Sequence, residues 1–365
     1  MRQGSRWREE RGVTAVFVAV ILSVLLGLVA LAMNIGHRTN IRTELASAAD
    51  AAALAGAKEL DGTLEKVTSG TPQAWARDFA GRHVTDKAEQ VVIDPNLDVE
   101  LGVWDHLAAA DSAFTKLDAT TAADARRVNA VRVRTFRETS RGNPVQVWMD
   151  AFLGGKASMD VAAEAVAVYG GPCTEDCPDV PLAFFDCGIL YNEELQCWTR
   201  PHMRAEMAPD PSDTIGFSSL SPTATASTAT YKEILGHDHC SAYQTTAGEE
   251  INVSNGDQLM PLCGMNGFDQ YCHANATGDC TLSPRPKIRA PVVDGECDLA
   301  AGILPRFNQP HAVLGYATFT MTKLVCARNE KYMEFEFECD VVDEGASQYG
   351  CGFMGTGPLQ PQLVR

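Results

Sequence analysis

The side chains best equipped for chemistry are twelve cysteines, all within the last 193 residues: Cys173, Cys177, Cys187, Cys197, Cys240, Cys263, Cys272, Cys280, Cys297, Cys326, Cys339 and Cys351. No two stand in the C-x-x-C spacing that builds thiolate zinc sites, and their number is even. That pattern predicts a disulfide framework, and with it an oxidising compartment. The pairing stays open, because so many cysteines admit far too many connectivities to select one.

Other chemistry-bearing clusters are sparse. His237-Asp238-His239-Cys240 is the one dense run of metal-ligand types, and in a strand His237 and His239 would share a face, as zinc requires. No second cluster at ligand spacing accompanies it, so the reading is no metal and no cofactor. Glu334, Glu336, Glu338 and Asp340 alternate with Met333, Phe335, Phe337, Cys339 and Val341, which describes a half-buried strand with an acidic outer face. Residues 313–325 are its expected hairpin partner, with Phe319 and Met321 on one face. Carboxylates along one strand face stand in a row and do not converge on a calcium ion; they solvate an edge and guard it against aggregation. Gly216-Phe217-Ser218-Ser219-Leu220 lacks the last glycine of a nucleophile elbow, and the chain has no P-loop, H-E-x-x-H or EF-hand loop. No catalytic residue is assigned, the protein is read as a non-enzyme, and no small-molecule substrate is expected.

Composition narrows the partners. The chain of 365 residues carries a net charge of −17, and its cysteine-bearing part holds 26 acidic against 11 basic side chains. An acidic surface of this kind excludes nucleic acid, which needs concentrated positive charge.

The elements that must position these residues begin with a membrane anchor. Val13–Met33 is an uncharged apolar run of 21 residues, about 31 Å as a helix, which matches a bilayer core of about 30 Å. Arg2, Arg6, Arg8 and Arg11 precede it, diluted by Glu9 and Glu10; the positive-inside rule places the N-terminus in the cytoplasm, and the cysteines beyond the span support that direction although Arg38 and Arg42 run against it. Membrane lipid is thus an expected partner. Ala30-Leu31-Ala32 offers the alternative of a cleaved signal peptide. Ala15, Ala19, Ser23 and Gly27 form a stripe of small residues at helical spacing, suited to close helix packing in lipid. Residues 45–60 (LASAADAAALAGAKEL) continue the helix, since alanine is the best helix former, as a narrow stalk or a helix packed closely against others.

The fold class expected is α+β. Residues 1–12 form a basic cytoplasmic segment, 13–33 the transmembrane helix and 34–60 an Ala-rich helix; 61–171 form an antiparallel α+β lobe and 172–365 a cysteine-rich lobe of strands and loops. In the first lobe, residues 72–86 read as an amphipathic helix with Trp75 and Phe79 at i and i+4. Leu97, Val99, Leu101 and Val103 alternate with Asp98 and Glu100, and Val131 and Val133 with Arg132 and Arg134. If these strands are neighbours, Asp98 and Glu100 face Arg132 and Arg134; otherwise the charges merely solvate an exposed face. Gly142-Asn143-Pro144 marks a turn before a short helix near 147–153, and a third strand is expected at about 159–169. In the second lobe, 199–230 is rich in Pro, Ser, Thr and Ala and is expected to be mostly loop.

Residues 11–60 resemble the N-terminal module of TadE/TadG-like proteins of the bacterial tight-adherence (Tad/Flp) pilus system. The most specific part is the string Ala48-Ala49-Asp50-Ala51-Ala52-Ala53-Leu54-Ala55-Gly56-Ala57, fused to a membrane span. Asn34 departs from the aspartate that members often carry there. The resemblance implies a non-enzymatic, single-pass component of a Tad-type pilus-assembly or secretion apparatus. It implies a place in the bacterial inner membrane with periplasmic lobes, and partners among other pilus-assembly proteins reached through the membrane and Ala-rich helix. Some TadG-like proteins carry a von Willebrand A domain; Asp210-Pro211-Ser212-Asp213-Thr214 does not satisfy its D-x-S-x-S metal motif. A signal-peptide cleavage after Ala32 would instead yield a secreted or surface-displayed adhesion module.

Alkylation of the native, unreduced chain is expected to label almost none of the twelve cysteines. Labelling of most of them, read by mass spectrometry, would overturn the disulfide framework.

Overall fold

The computed structural model describes residues 6–86, 89–147, 158–175, 180–192, 194, 197–199, 203–206, 214–222, 227–235, 244–254, 272–274, 279–282, 285, 287–297, 302–327, 330–337, 349–351 and 361–364. The span and the Ala-rich segment form one unbroken helix, α1 (Arg6–Lys58), of 53 residues. At 1.5 Å per residue it is about 80 Å long, so only part of it can lie in a bilayer. Its last turn tightens, with Glu59 N donating to Gly56 O and Leu60 N to Ala57 O. Asp61 then accepts from both the backbone N–H and the hydroxyl of Thr63. That hydroxyl in turn caps α2 (Leu64–Thr68) by accepting from Lys66 N.

Gly70, at φ 75°, turns the chain into α3 (Thr71–Gly81), which has Pro72 in its first turn. α3 doubles back along α1. Its buried face is Pro72, Ala76 and Ala80, while Trp75 and Phe79 pair at 6.0 Å on the outer side. The helix ends at Gly81, short of the expected 86, because Val84–Thr85 instead pairs as a strand with Glu89–Gln90.

The first sheet is antiparallel throughout. Strands β1 (Val99–Trp104), β2 (Phe114–Lys116), β3 (Ala130–Arg137) and β4 (Val161–Val168) lie in the order β4-β3-β1-β2. The register sets Val99 opposite Val133, Glu100 opposite Arg132 and Leu101 opposite Val131. The strands are neighbours, and Arg132 Nε donates to Glu100 at 2.8 Å. The expected alternation fails at its first two residues. Leu97 is 68% exposed and Asp98 5% exposed, because 94–98 is a turn: Asp98 N donates to Asp94 O at 2.8 Å, and the Asp98 carboxylate accepts from Asp94 N at 2.6 Å. Asp98 pairs with Arg141 at 2.8 Å and not with Arg134, which pairs with Glu138. Gly142, at φ 73°, makes the expected turn; Val147 is not helical, and 148–157 lie outside the described residues.

The second sheet closes on itself. Its main strands are β5 (Leu182–Phe185), β6 (Met203–Glu206), β7 (Ile215–Ser218), β8 (Glu250–Ser254), β9 (Lys287–Val293), β10 (Gln309–Ala327) and β11 (Glu330–Phe337), and the short strands Cys272–Ala274 and Asp279–Leu282 join it at β10. β10 is long enough to pair with β8 through Gln309–Ala312 and with β9 through Val313–Thr320, and β8-β7-β5-β9 completes the circuit. The β10–β11 hairpin sets Phe319 opposite Phe337 and Met321 opposite Phe335, as the alternation predicts. Phe184 stacks on Phe319 at 3.8 Å and meets Phe335 edge-on at 5.7 Å. Strands β6 and β7 fall in the stretch expected to be loop. Each is four residues long, too short for a periodic signal, and is held by pairing with β11 and with β5 and β8.

Several links among the described residues cross residue 172. A two-residue strand, Gln362–Leu363, extends the first sheet at the β4 edge. Arg126 pairs with Asp186 at 3.6 Å. One contiguous core joins Ala48, Ala76 and Val131 to Leu182, Phe217 and Phe335.

The closeness of α1 to its neighbours rests on small side chains. A Cβ on Gly56 would stand 3.0 Å from Pro72 O, 3.2 Å from a Val131 methyl and 3.3 Å from the Ala76 Cβ. Replacing the fully buried Ala52 by leucine is expected to destabilise the fold by about 2 kcal/mol or more through overpacking, while Ser47→Leu on the exposed side stays within about 0.5 kcal/mol. Denaturant titration of both variants checks this, and equal midpoints would refute the close-packed interface.

Candidate functional site

The candidate site is α1, described from its apolar part onward. The side chains described between Thr14 and Val29 are exposed except for a half-buried Gly27, in keeping with an apolar surface meant for lipid or another helix. Within the small-residue stripe, Ala15, Ala19 and Ser23 are exposed, and a Cβ on Gly27 would touch nothing. The Ser23 hydroxyl donates to Val20 O at 2.8 Å, so it is satisfied inside its own helix.

Towards the end of the span the helix changes partner. Ala30 is buried within the span, and beyond Met33 Ile41 and Leu45 are buried, with Asn34 and His37 half-buried before them. His37 Nε2 lies 3.8 Å from Asp86 Oδ1, and Asp86 N donates to Glu44 at 3.0 Å. Thr135, on β3, donates its hydroxyl to Leu45 O at 2.9 Å. Of the Ala-rich string, Ala48, Ala49, Ala52, Ala53, Gly56 and Ala57 are buried against α3 and the first sheet. Asp50, Ala51, Leu54 and Ala55 lie half-buried on the flank. Burial raises the Asp50 carboxyl above its ordinary value.

Two further nodes hold the lobes together. At the first, Asn129 Oδ1 accepts from Trp104 N at 2.7 Å, and its Nδ2 donates to Trp104 O at 3.2 Å and to Gly350 O at 2.5 Å. The Cys173–Cys351 disulfide and His106 adjoin it. Gly350 sits at φ 103° with Val168 under 3.0 Å from where its Cβ would be, so only glycine fits. At the second, the Cys187–Cys297 disulfide adjoins Asp186, which accepts from Gly295 N at 3.1 Å and pairs with Arg126. Burial works against both charges of that pair, raising the Asp186 carboxyl and lowering the Arg126 guanidinium, so the contact fixes which surfaces meet and adds little net stability.

Each node groups three residues of metal-ligating type, but with both sulfurs joined in a disulfide each keeps one ligand residue among the described residues, too few for a structural zinc. His237, His239 and Cys240 lie outside the described residues, as do the side chains of Cys177, Cys197, Cys263, Cys272, Cys280, Cys326 and Cys339. Sequence reasoning missed His106, Asn129 and the Arg126–Asp186 pair. Their partners stand 25 to 221 residues away or across the lobe boundary, and no local pattern marks such contacts.

Residues 12–59 match the family model described as "Putative Flp pilus-assembly TadE/G-like". The match bears out the resemblance of the N-terminal module and ends where α1 ends. No curated protein and no solved structure matches the chain.

Burial holds the His106 imidazole below the usual histidine range, outweighing the opposite pulls of the Gly350 carbonyl and Asp105. The unfolded chain therefore takes up this proton first, and the fold loses stability as pH falls from about 6.5 towards the depressed value. His106→Gln is expected to flatten that acid-side loss in denaturant titrations between about pH 7.5 and about pH 5. An unchanged pH slope would refute the assignment.

Proposed function

We propose that a chain whose N-terminal module is TadE/G-like acts as a membrane-anchored, non-enzymatic component of a Tad/Flp-type pilus-assembly or secretion apparatus. The observation that carries this reading is the continuity of α1. An apolar span runs without a break into a helix face sealed against the chain's own lobe, so the membrane position of the span and the placement of the lobes are coupled. The mechanism is binding and placement, with no bond-making step.

The Ala-rich string packs inward, so partner contacts fall to the exposed sides of the span, including Ala15, Ala19 and Ser23, and to the flank of Asp50, Ala51, Leu54 and Ala55. Helices in lipid associate through small residues of this kind. The span resides in the inner membrane, with the N-terminus cytoplasmic and the disulfide-bearing lobes in the oxidising periplasm; the basic N-terminal segment and the cysteines support that orientation.

The intact mass of the protein from native cell envelopes tests this reading. A mass that retains the span, followed by crosslinking of the span to other pilus-assembly proteins, is the expected result. A mature chain starting at Met33 would overturn it in favour of a released adhesion module.

A further inference from the structure

We infer that the first lobe sits directly on the bilayer surface and contacts lipid phosphate headgroups through Arg38 and Arg42. The inference rests on the reading of α1 as a membrane span. If the hydrocarbon layer ends at Met33, helix rise places His37 about 6 Å beyond it, Arg38 about 7.5 Å and Arg42 about 13.5 Å. The headgroup layer is roughly 5–8 Å deep on each side of the core.

The lobe reaches down into that layer. Asp86 lies against His37, and Asp86 belongs to the hairpin that pairs Val84–Thr85 with Glu89–Gln90. Ala30 is 1% exposed, so the chain covers α1 even slightly below the level of Met33. No linker separates span from lobe, because α1 is helical throughout. The hairpin exposes Val84, two residues before Asp86, at 53%, and Val92 just beyond it is 68% exposed. These are residues that the interface between headgroups and acyl chains accommodates.

Arg38 and Arg42 stand at i and i+4 on α1, both exposed, with no ion pair between either and an acidic side chain among the described residues. Side chains on a helix lean towards its N-terminus, which here is towards the membrane. A guanidinium group suits the bidentate geometry of phosphate, and this lean brings both arginines within reach of the headgroups. Their place on the far side of the span runs against the positive-inside rule, and a phosphate contact gives them a reason to be there.

The test uses the full-length chain in nanodiscs of phosphatidylcholine, alone or mixed with phosphatidylglycerol, containing a lipid with a nitroxide headgroup. A genetically encoded fluorophore replaces Val84 near the membrane or Ala110 on the far loop of the lobe. Expected is several-fold stronger quenching at position 84 than at 110, strengthened by phosphatidylglycerol and reduced towards the position 110 level by Arg38→Gln with Arg42→Gln. Equal quenching at the two positions in an inserted chain overturns the seating. Strong quenching at 84 that ignores the arginine substitutions overturns the phosphate contact. A chain that does not remain with the discs overturns the anchoring reading itself, and the inference with it.

Discussion

Two surfaces of small side chains determine how near α1 can lie to the rest of the molecule, and the first lobe is built around that distance. Alanines at 48, 49, 52, 53 and 57, with Gly56, face Ala76 and Ala80 of α3 and Val131, Val133 and Ala165 of the sheet. Each alanine buries little apolar area, so its direct contribution is small. What the small face provides is close approach, which multiplies dispersion contacts along several helical turns. Bulky residues here would push the helix off the sheet and open the core that runs on into the second lobe.

The second lobe is held in a different way. Its strands are short apart from β10, and one long bent strand serves as the common member of the closed circuit and of the hairpin. Disulfides with sequence separations of 178 and 110 residues then tie distant parts of it, Cys173 to Cys351 and Cys187 to Cys297. Cross-links of this span typically stabilise by about 2–4 kcal/mol each, chiefly by restricting the unfolded chain. They stand where the lobes meet, beside Asn129, His106 and the Arg126–Asp186 pair. Buried polar groups with few possible partners define one docking arrangement more strictly than apolar contact alone.

These two constructions fit the placement role proposed above. The apolar part of α1 continues into the packed part without a break in the helix, so no flexible joint separates them. The disulfide nodes and the returning C-terminal strand keep the second lobe fixed against the first. The acidic face of β11, with Glu336 exposed and Glu334 half-buried, keeps that hairpin soluble.

Local pattern was enough for several elements. The uncharged run of residues and the alanine string specified α1, because hydropathy and helix propensity act within a few turns. Alternation specified β1, β3 and the β10–β11 hairpin, including the facing of Glu100 and Arg132. The same pattern misassigned Leu97 and Asp98, where an aspartate-stabilised turn interrupts the strand. Only the tertiary structure decided that the alanine face turns inward, that Trp75 and Phe79 turn outward, and that four-residue segments among prolines and serines become sheet strands. It also decided which of the described cysteines meet and brought Asn129 to Gly350. Such choices depend on contacts between residues far apart in the chain, whose energies no window of sequence contains.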